Sequence, residues 1–377
     1  MNWVVDAIYY VVPFIVLLGI LVFVHEFGHF IVARLCGVQV DVFSIGFGRT
    51  LFSRKDKYGT EWKLSAVPLG GYCQFLGDAD GASAGVDEKV KKLSDEQKKK
   101  AFPFQKPYKK LLIVLAGPMF NYLFAIMVFA IIFSTLGKMI FPPVVGGIIE
   151  NSAAEKAGIQ VNDRILEING TKITCFDDIK NEVALVPDDN VVVIKLLRDE
   201  QEKTLTFPIS ELEYDYATGV KVKQRMLGIK SLNTVEVEHK RMNVFTAIYE
   251  ASVQSWNITT MTLRGVGQMI TGKRSSDDLG GIIRIAEMSG DISKQYGLLD
   301  FISFMALLSI NLGLINLFPI PVLDGGHVII FLLEMVTGKE INDKVKELLF
   351  KIGFGLLILL MLFATWNDIV HLKNRWF

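Results

Sequence analysis

Long apolar runs alternate with polar and strand-like stretches along this chain, and four of the runs are long enough to cross a membrane. The first extends from about Ala7 to Ala33 and the second from about Leu111 to Leu136. A third begins near Phe301. The fourth runs from about Ile352 to Trp366 and extends through Leu348 and Leu349 at one end and to Ile369 at the other. A helix of about 20 residues crosses a hydrocarbon core of ~30 Å, so these runs predict four transmembrane helices. The third is interrupted by Pro319, Pro321 and Gly325-Gly326, which break helical geometry and free backbone groups. A membrane tolerates that only where the freed groups line a protein cavity. No basic segment precedes the first run, which ends at Arg34 rather than at a small-residue cleavage site. It therefore reads as a retained span and not as a signal peptide.

Other patterns fill the intervals. Val38 to Ile45 and Thr60 to Val67 alternate apolar and polar residues, and glycine-rich bends follow each. They predict a β-element over 37–80, which either dips into the lipid interface or forms a small soluble hairpin. Residues 81–110 form a polar loop rich in lysine, including Lys89, Lys91, Lys92, Lys98, Lys99, Lys100, Lys106, Lys109 and Lys110. Residues 142–212 predict a small α+β domain: a strand from Val144 to Ile149, a short helix over Phe176–Val186, and strands Asn190–Leu197 and Lys203–Ile209 around a turn at Asp199-Glu200. Residues 213–299 hold more strand-like sequence and a helix from about Asn243 to Ile270. That helix either lies on the outer membrane interface or packs as a soluble one. The remaining segments are 1–36, 111–137, 300–336 and 348–370, one for each span. The fold class expected is a multi-span α-helical membrane protein with a β-element after its first span and an inserted extracytoplasmic α+β domain.

Charge orients this arrangement. Lysine and arginine exceed acids over 34–110, which places that segment in the cytoplasm and the N-terminus and the 142–212 domain outside. Lys373 and Arg375 argue weakly the other way. A hydrophobic share of 51% is too high for an ordinary soluble domain of average charge. The net charge of +0 and the lack of a basic, aromatic-interleaved stretch speak against nucleic acid as a partner. Cys36, Cys73 and Cys175 are scattered and predict neither a disulfide framework nor a cysteine zinc site.

The chemistry sits in the apolar runs. Between Asp6 and Arg34 the only ionisable side chains besides tyrosine are His25, Glu26 and His29. On a helix His25 and His29 lie one turn apart on one face, so both imidazoles reach one metal ion, and Glu26 can act on a water at that ion. Ionisable groups inside a span are costly and mark function by default. Two histidines leave a catalytic zinc site one protein ligand short, and Asp324, an acid at membrane depth, is the candidate. His327 competes with it, more readily as a hydrogen-bonding neighbour of the ligands than as a ligand itself.

Two resemblances extend this reading. The order Ser152-Ala153-Ala154, Ala157-Gly158, Asn162-Asp163 and Ile168-Asn169-Gly170 resembles a PDZ domain of bacterial envelope proteases, a fold that takes extended peptides by strand addition. As a whole, the chain resembles the site-2 protease family of intramembrane zinc metalloproteases, in its bacterial RseP-type branch. The likeness is carried by His25-Glu26-Phe27-Gly28-His29, by the PDZ-like insert and by Asn316-Leu317-Phe318-Pro319-Ile320-Pro321-Val322-Leu323-Asp324-Gly325. Pro68-Leu69-Gly70-Gly71-Tyr72 and Ala116-Gly117-Pro118-Met119-Phe120-Asn121 match further family stretches.

The resemblance implies a Zn2+ cofactor held by His25, His29 and Asp324, with Glu26 as acid and base. It implies that Asn316 holds substrate backbone and that the Gly46-Phe47-Gly48 region belongs to a membrane-associated β-element that pairs with an extended substrate. The location implied is a bacterial inner membrane, with the site towards the cytoplasmic half and the PDZ-like domain in the periplasm. The substrates implied are single-span membrane proteins, such as an anti-sigma factor or remnant signal peptides, and a monomer is expected. Two departures stand out: one PDZ-like domain rather than two, and Gly-Gly-Ile in Leu279-Gly280-Gly281-Ile282 where the family often has Gly-Pro. A membrane scaffold that binds through its PDZ-like domain would not need Glu26 or Asp324. A zinc transporter would use the histidines and Asp324 as transit sites and leave Glu26 and the inserted domain unexplained.

Overall fold

The computed structural model describes residues 3–78, 93–184, 186, 191–209, 211–215, 221–231, 238–272 and 280–376. Lys89, Lys91 and Lys92 of the lysine-rich loop, Asn190 and Leu279 lie outside the described residues. Helix α1 (Trp3–Leu35) leads into strands β1 (Val40–Lys55) and β2 (Glu61–Phe75), the single turn α2 (Asp95–Lys98) and helix α3 (Pro107–Thr135). Strands β3 (Lys138–Ile140) and β4 (Val145–Ile148), the turn α4 (Ala153–Lys156), β5 (Arg164–Ile168) and β6 (Thr171–Lys172) follow. After helix α5 (Phe176–Ala184) come β7 (Val191–Arg198), β8 (Gln201–Pro208), β9 (Glu211–Asp215), β10 (Lys221–Arg225), β11 (Ile229–Ser231) and β12 (Glu238–Lys240). Helices α6 (Val244–Ile270), α7 (Ile282–Gln295), α8 (Leu298–Asn316), α9 (Asp324–Thr337) and α10 (Asp343–Trp376) complete the chain.

Four helical segments among the described residues are long and apolar enough to cross a membrane: Ile8–Leu35, Pro107–Thr135, Leu298–Asn316 and Lys344–Lys373. These are the four spans expected from the apolar runs. At ~1.5 Å per residue the shortest of them, α8, rises roughly 28 Å, close to the thickness of a hydrocarbon core. The expected break in the third run falls at residues 317–323, between α8 and α9, and takes in Pro319 and Pro321, whereas Gly325 and Gly326 are helical, in the first turn of α9. Helix α6 begins one residue beyond Asn243, whose side chain caps it by accepting from the Thr246 amide at 2.9 Å. Helix α7 was not anticipated.

The chain forms two compact units. The first comprises α1, the β1–β2 sheet, most of α3, and α7 to α10. Strands β1 and β2 each double back, so the sheet is more than a hairpin. Val40–Ile45 pairs with Gly71–Phe75 on one side (Val40↔Phe75, Phe43↔Cys73, Ile45↔Gly71) and with Glu61–Leu64 on the other (Phe43↔Trp62, Ile45↔Leu64). The rest of β1 pairs with the start of β2 (Phe52↔Leu64, Lys55↔Glu61). The reversal within β1 uses Gly46 and Gly48, whose φ values of +87° and +82° an L side chain rarely adopts. Gly71–Phe75 is left at one edge of the sheet.

A buried cluster joins this sheet to three helices. Phe30 and Ala33 of α1, Phe43 and Phe75 of the sheet, Ile113 of α3 and Phe331 of α9 pack together. The rings of Phe30, Phe43 and Trp62 lie 4.5–5.5 Å apart, and each such pair contributes about 0.5–1.5 kcal/mol beyond area burial. The far end of the sheet is tied to α1 by Arg34. Its guanidinium stacks between the rings of Phe30 and Tyr58, at 4.4 and 4.6 Å, and donates to Asp56 and to Thr60 Oγ1. Gly281 immediately precedes α7, and Asp368 of α10 supplies the cap. Asp368 is buried and accepts from the amides of Gly281 (2.8 Å), Ile283 (2.9 Å) and Arg284 (3.2 Å).

The second unit holds β3 to β12 with α4 and α5. Its main sheet is antiparallel with strand order β6-β5-β7-β8, closed at Asp199-Glu200 by a turn with both residues at positive φ. Its core gathers Ile165, Ile168, Ile179, Val192, Ile194 and Leu196, all nearly inaccessible to solvent.

Candidate metal centre

The i, i+4 spacing in α1 does what a helix dictates and puts both imidazoles on one face. His25 Nε2 and His29 Nε2 stand 3.3 Å apart. Asp324 arrives from the other end of the chain. Pro319 and Pro321 hold residues 317–323 out of the helix, and Asp324 then opens α9, where the helix N-terminus favours a carboxylate. Gly325 and Gly326 let that first turn tuck beneath the break, since a Cβ at either would collide with the backbone of Leu317, Phe318, Ile320 or Pro321. Asp324 Oδ2 comes within 3.1 Å of His25 Nε2, and Oδ1 within 3.5 Å of His29 Nε2.

Donors held ~2.0–2.1 Å from a tetrahedral zinc ion lie roughly 3.3 Å from one another, so these three separations suit one zinc. Asp324 Oδ2 is buried, with the His25 ring as its close polar neighbour. A buried carboxylate is costly unless a cation or a proton donor meets it. Two imidazoles and one carboxylate form a donor set typical of catalytic zinc, with one position left for water or substrate. Among the described residues, His25, His29 and Asp324 are the group of histidines, cysteines and acids placed to share a metal ion.

A cavity of about 190 Å³ opens on this cluster. Glu26 and Asn316, at the last turn of α8, line it with the three donors. His327 lines it as well, but is not in the donor cluster. Gly46, Phe47 and Gly48 do not line it. The sheet reaches it instead through Gly71, Tyr72, Cys73 and Phe75. Gly71 lies so close to α1 that a Cβ there would fall 2.7 Å from Val22 Cγ1 and 3.1 Å from Glu26 Cγ. Gly46–Gly48 thus form the bend, and Phe47 stacks on Tyr72 with ring centres 6.2 Å apart. The glycine pair in Pro68-Leu69-Gly70-Gly71-Tyr72 was the available signal for this edge.

The second span supports the histidines. His29 Nδ1 lies 2.8 Å from the Ile113 carbonyl and His25 Nδ1 lies 3.2 Å from Asn121 Nδ2. Between them Gly117 leaves room for both rings. A Cβ there would collide with His29 Nε2 and fall 2.8 Å from His25 Cε1.

Comparison with known proteins identifies the family of the chain. The model of peptidase family M50 matches residues 13–360. A Rhizobium meliloti protein provisionally named a zinc metalloprotease is 38% identical over 373 residues, which cover 98% of this chain and 99% of its own. Proteins with the same provisional name from Agrobacterium fabrum and Campylobacter jejuni are 38% identical over 364 residues and 37% over 359. The alignments cover 96% of this chain and 96% of the relative in the first case, and 94% and 92% in the second. The chain belongs to peptidase family M50, the site-2 proteases, and is a membrane zinc metalloprotease.

Proposed function

We propose that this enzyme cleaves the transmembrane segments of single-span membrane proteins, with His25, His29 and Asp324 holding zinc and Glu26 acting as acid and base. The observation that carries this reading is the convergence of donor atoms of His25, His29 and Asp324, 3.1–3.5 Å apart, on a cavity that Glu26 shares, with both histidines and Glu26 inside a helix apolar enough to span a membrane. Zinc in such a site supplies Lewis acidity and lowers the pKa of the water it takes up towards ~7. Glu26 accepts the proton of the attacking water and returns it to the leaving amine. The Asn316 side chain, on the same cavity, holds substrate backbone. A helical substrate hides its carbonyls in i to i−4 bonds and must unwind locally. The sheet edge Gly71–Phe75 offers backbone partners to the unwound strand, which moves the expected pairing site from Gly46–Gly48 to this edge.

The lysine excess over 34–110 supports a cytoplasmic position for that segment, an active site towards the cytoplasmic half of a bacterial inner membrane, and a PDZ-like domain outside. The motif order in 142–212 and the small sheet of the second unit support that PDZ-like reading. Suitable substrates are an anti-sigma factor already trimmed outside, or remnant signal peptides. Replacing Glu26 by Gln should leave zinc content unchanged and lower cleavage of a reconstituted single-span substrate by ~10²-fold or more. Activity close to that of the parent protein would overturn the role of Glu26.

A further inference from the structure

Both imidazoles of the proposed zinc site are oriented by one face of α3. Ile113, Gly117 and Asn121 recur every four residues, antiparallel to His29 and His25 on α1. The Ile113 carbonyl can only accept, so His29 Nδ1, 2.8 Å away, carries the ring proton and Nε2 is the bare nitrogen that faces Asp324. Asn121 stands in the same relation to His25 but can both donate and accept. Its side chain is fully buried, its backbone carbonyl is fixed by Ser309 Oγ of α8 at 2.9 Å, and its Oδ1 has no hydrogen-bond partner.

With Nδ2 turned to His25, the ring must accept at Nδ1 and carry its proton on Nε2, which points at Asp324 Oδ2. In that tautomer Nε2 has no lone pair for a cation. A half turn of the amide about Cβ–Cγ places Oδ1 opposite Nδ1, so that Nδ1–H donates to it and Nε2 is free. We infer that Asn121 is a positioning residue for His25, whose amide takes one orientation for each ring tautomer, and that zinc binding selects the one in which Oδ1 accepts from Nδ1–H. This rests on the reading of His25 and His29 as zinc ligands. The half turn exchanges an unpaired oxygen for an unpaired amide nitrogen, so what it gains is at the ring.

The test is zinc affinity, measured by competition against a chromophoric chelator on detergent-purified full-length protein. Replacing Asn121 by Leu keeps the volume and removes the acceptor, and should weaken zinc binding by ~10–100-fold. Asn121→Asp keeps an acceptor oxygen and should bind zinc no more weakly than the parent protein. Unchanged affinity in Asn121→Leu overturns the inference. So does an Asn121→Asp protein as weak as Asn121→Leu, because packing rather than acceptance would then be the cause. His25→Ala serves as the reference. If it loses zinc while Asn121→Leu does not, only this inference falls. If it keeps zinc, the ligand assignment falls and this inference with it.

Discussion

At Gly117 a single methyl group decides whether the two histidines can face one ion. Its position between His25 and His29 means that Ala would push at least one ring off line, against helices that are packed on their other sides. Overpacking of this kind costs about 1–3 kcal/mol, and here the cost falls on the ligand geometry. Gly117→Ala should therefore purify with a substoichiometric zinc content, read by atomic absorption, while its helical circular dichroism is retained. Full zinc occupancy would show that α3 yields instead. The His-Glu-x-x-His pattern was legible because both histidines and the glutamate belong to one helix, where spacing alone fixes direction. Gly117 was legible only as a small residue suited to helix packing, since what it packs against is set by tertiary structure. Asn121 stood out only as part of a family stretch, since its hydrogen-bond partner, His25, is also set by tertiary structure.

The sheet shows how a local pattern can hide its own topology. Alternation over Val38–Ile45 and Thr60–Val67 predicted strands correctly. The doubling back of β1 and β2 depends on Gly46, Gly48 and Gly70, and alternation does not report it. As a result the residues that border the metal cavity are Gly71–Phe75 rather than the more conspicuous Gly46-Phe47-Gly48. Helix α7 escaped notice because Arg284, Glu287, Asp291 and Lys294 dilute its apolar pattern. Some of those charges meet neighbours rather than water, as in Tyr10 with Asp291 at 3.1 Å.

The tip of the sheet has a pH dependence of its own. Burial pushes the Asp56 carboxyl up, but hydrogen bonds from Arg34, Trp62 and the amides of Tyr58 and Thr60 outweigh it and hold the group below the usual carboxylate range. A carboxyl lowered on folding stabilises the fold above its unfolded value, and that contribution disappears as pH falls through the folded one. Hydrogen-exchange protection of the Tyr58 and Thr60 amides, corrected for intrinsic rates, should hold at neutral pH and decline below about pH 4. In Asp56→Asn the same profile should be flat. Persistent protection at low pH in the parent protein would remove Asp56 as its cause.

Across the whole molecule, the proposed zinc site draws on residues from opposite ends of the chain, and the buried clusters around it are apolar and, among the described residues, hold no further metal donor set. Chelation should therefore abolish proteolysis and leave the helical content intact, and added zinc should restore cleavage. Loss of helical signal on chelation would instead make the metal a structural element. The four spans were legible in the sequence because length and apolarity suffice to mark them.

The cap of α7 lies 87 residues downstream of the segment it caps, on α10. Until residue 368 has joined the others, the first amides of α7 lack their acceptor, and the helix packed against α1 has a frayed start. A nascent chain interrupted before α10 would therefore carry His25, Glu26, His29 and Asp324 without a finished scaffold. In this membrane metalloprotease, the scaffold around those residues thus depends on a helix synthesised after all of them.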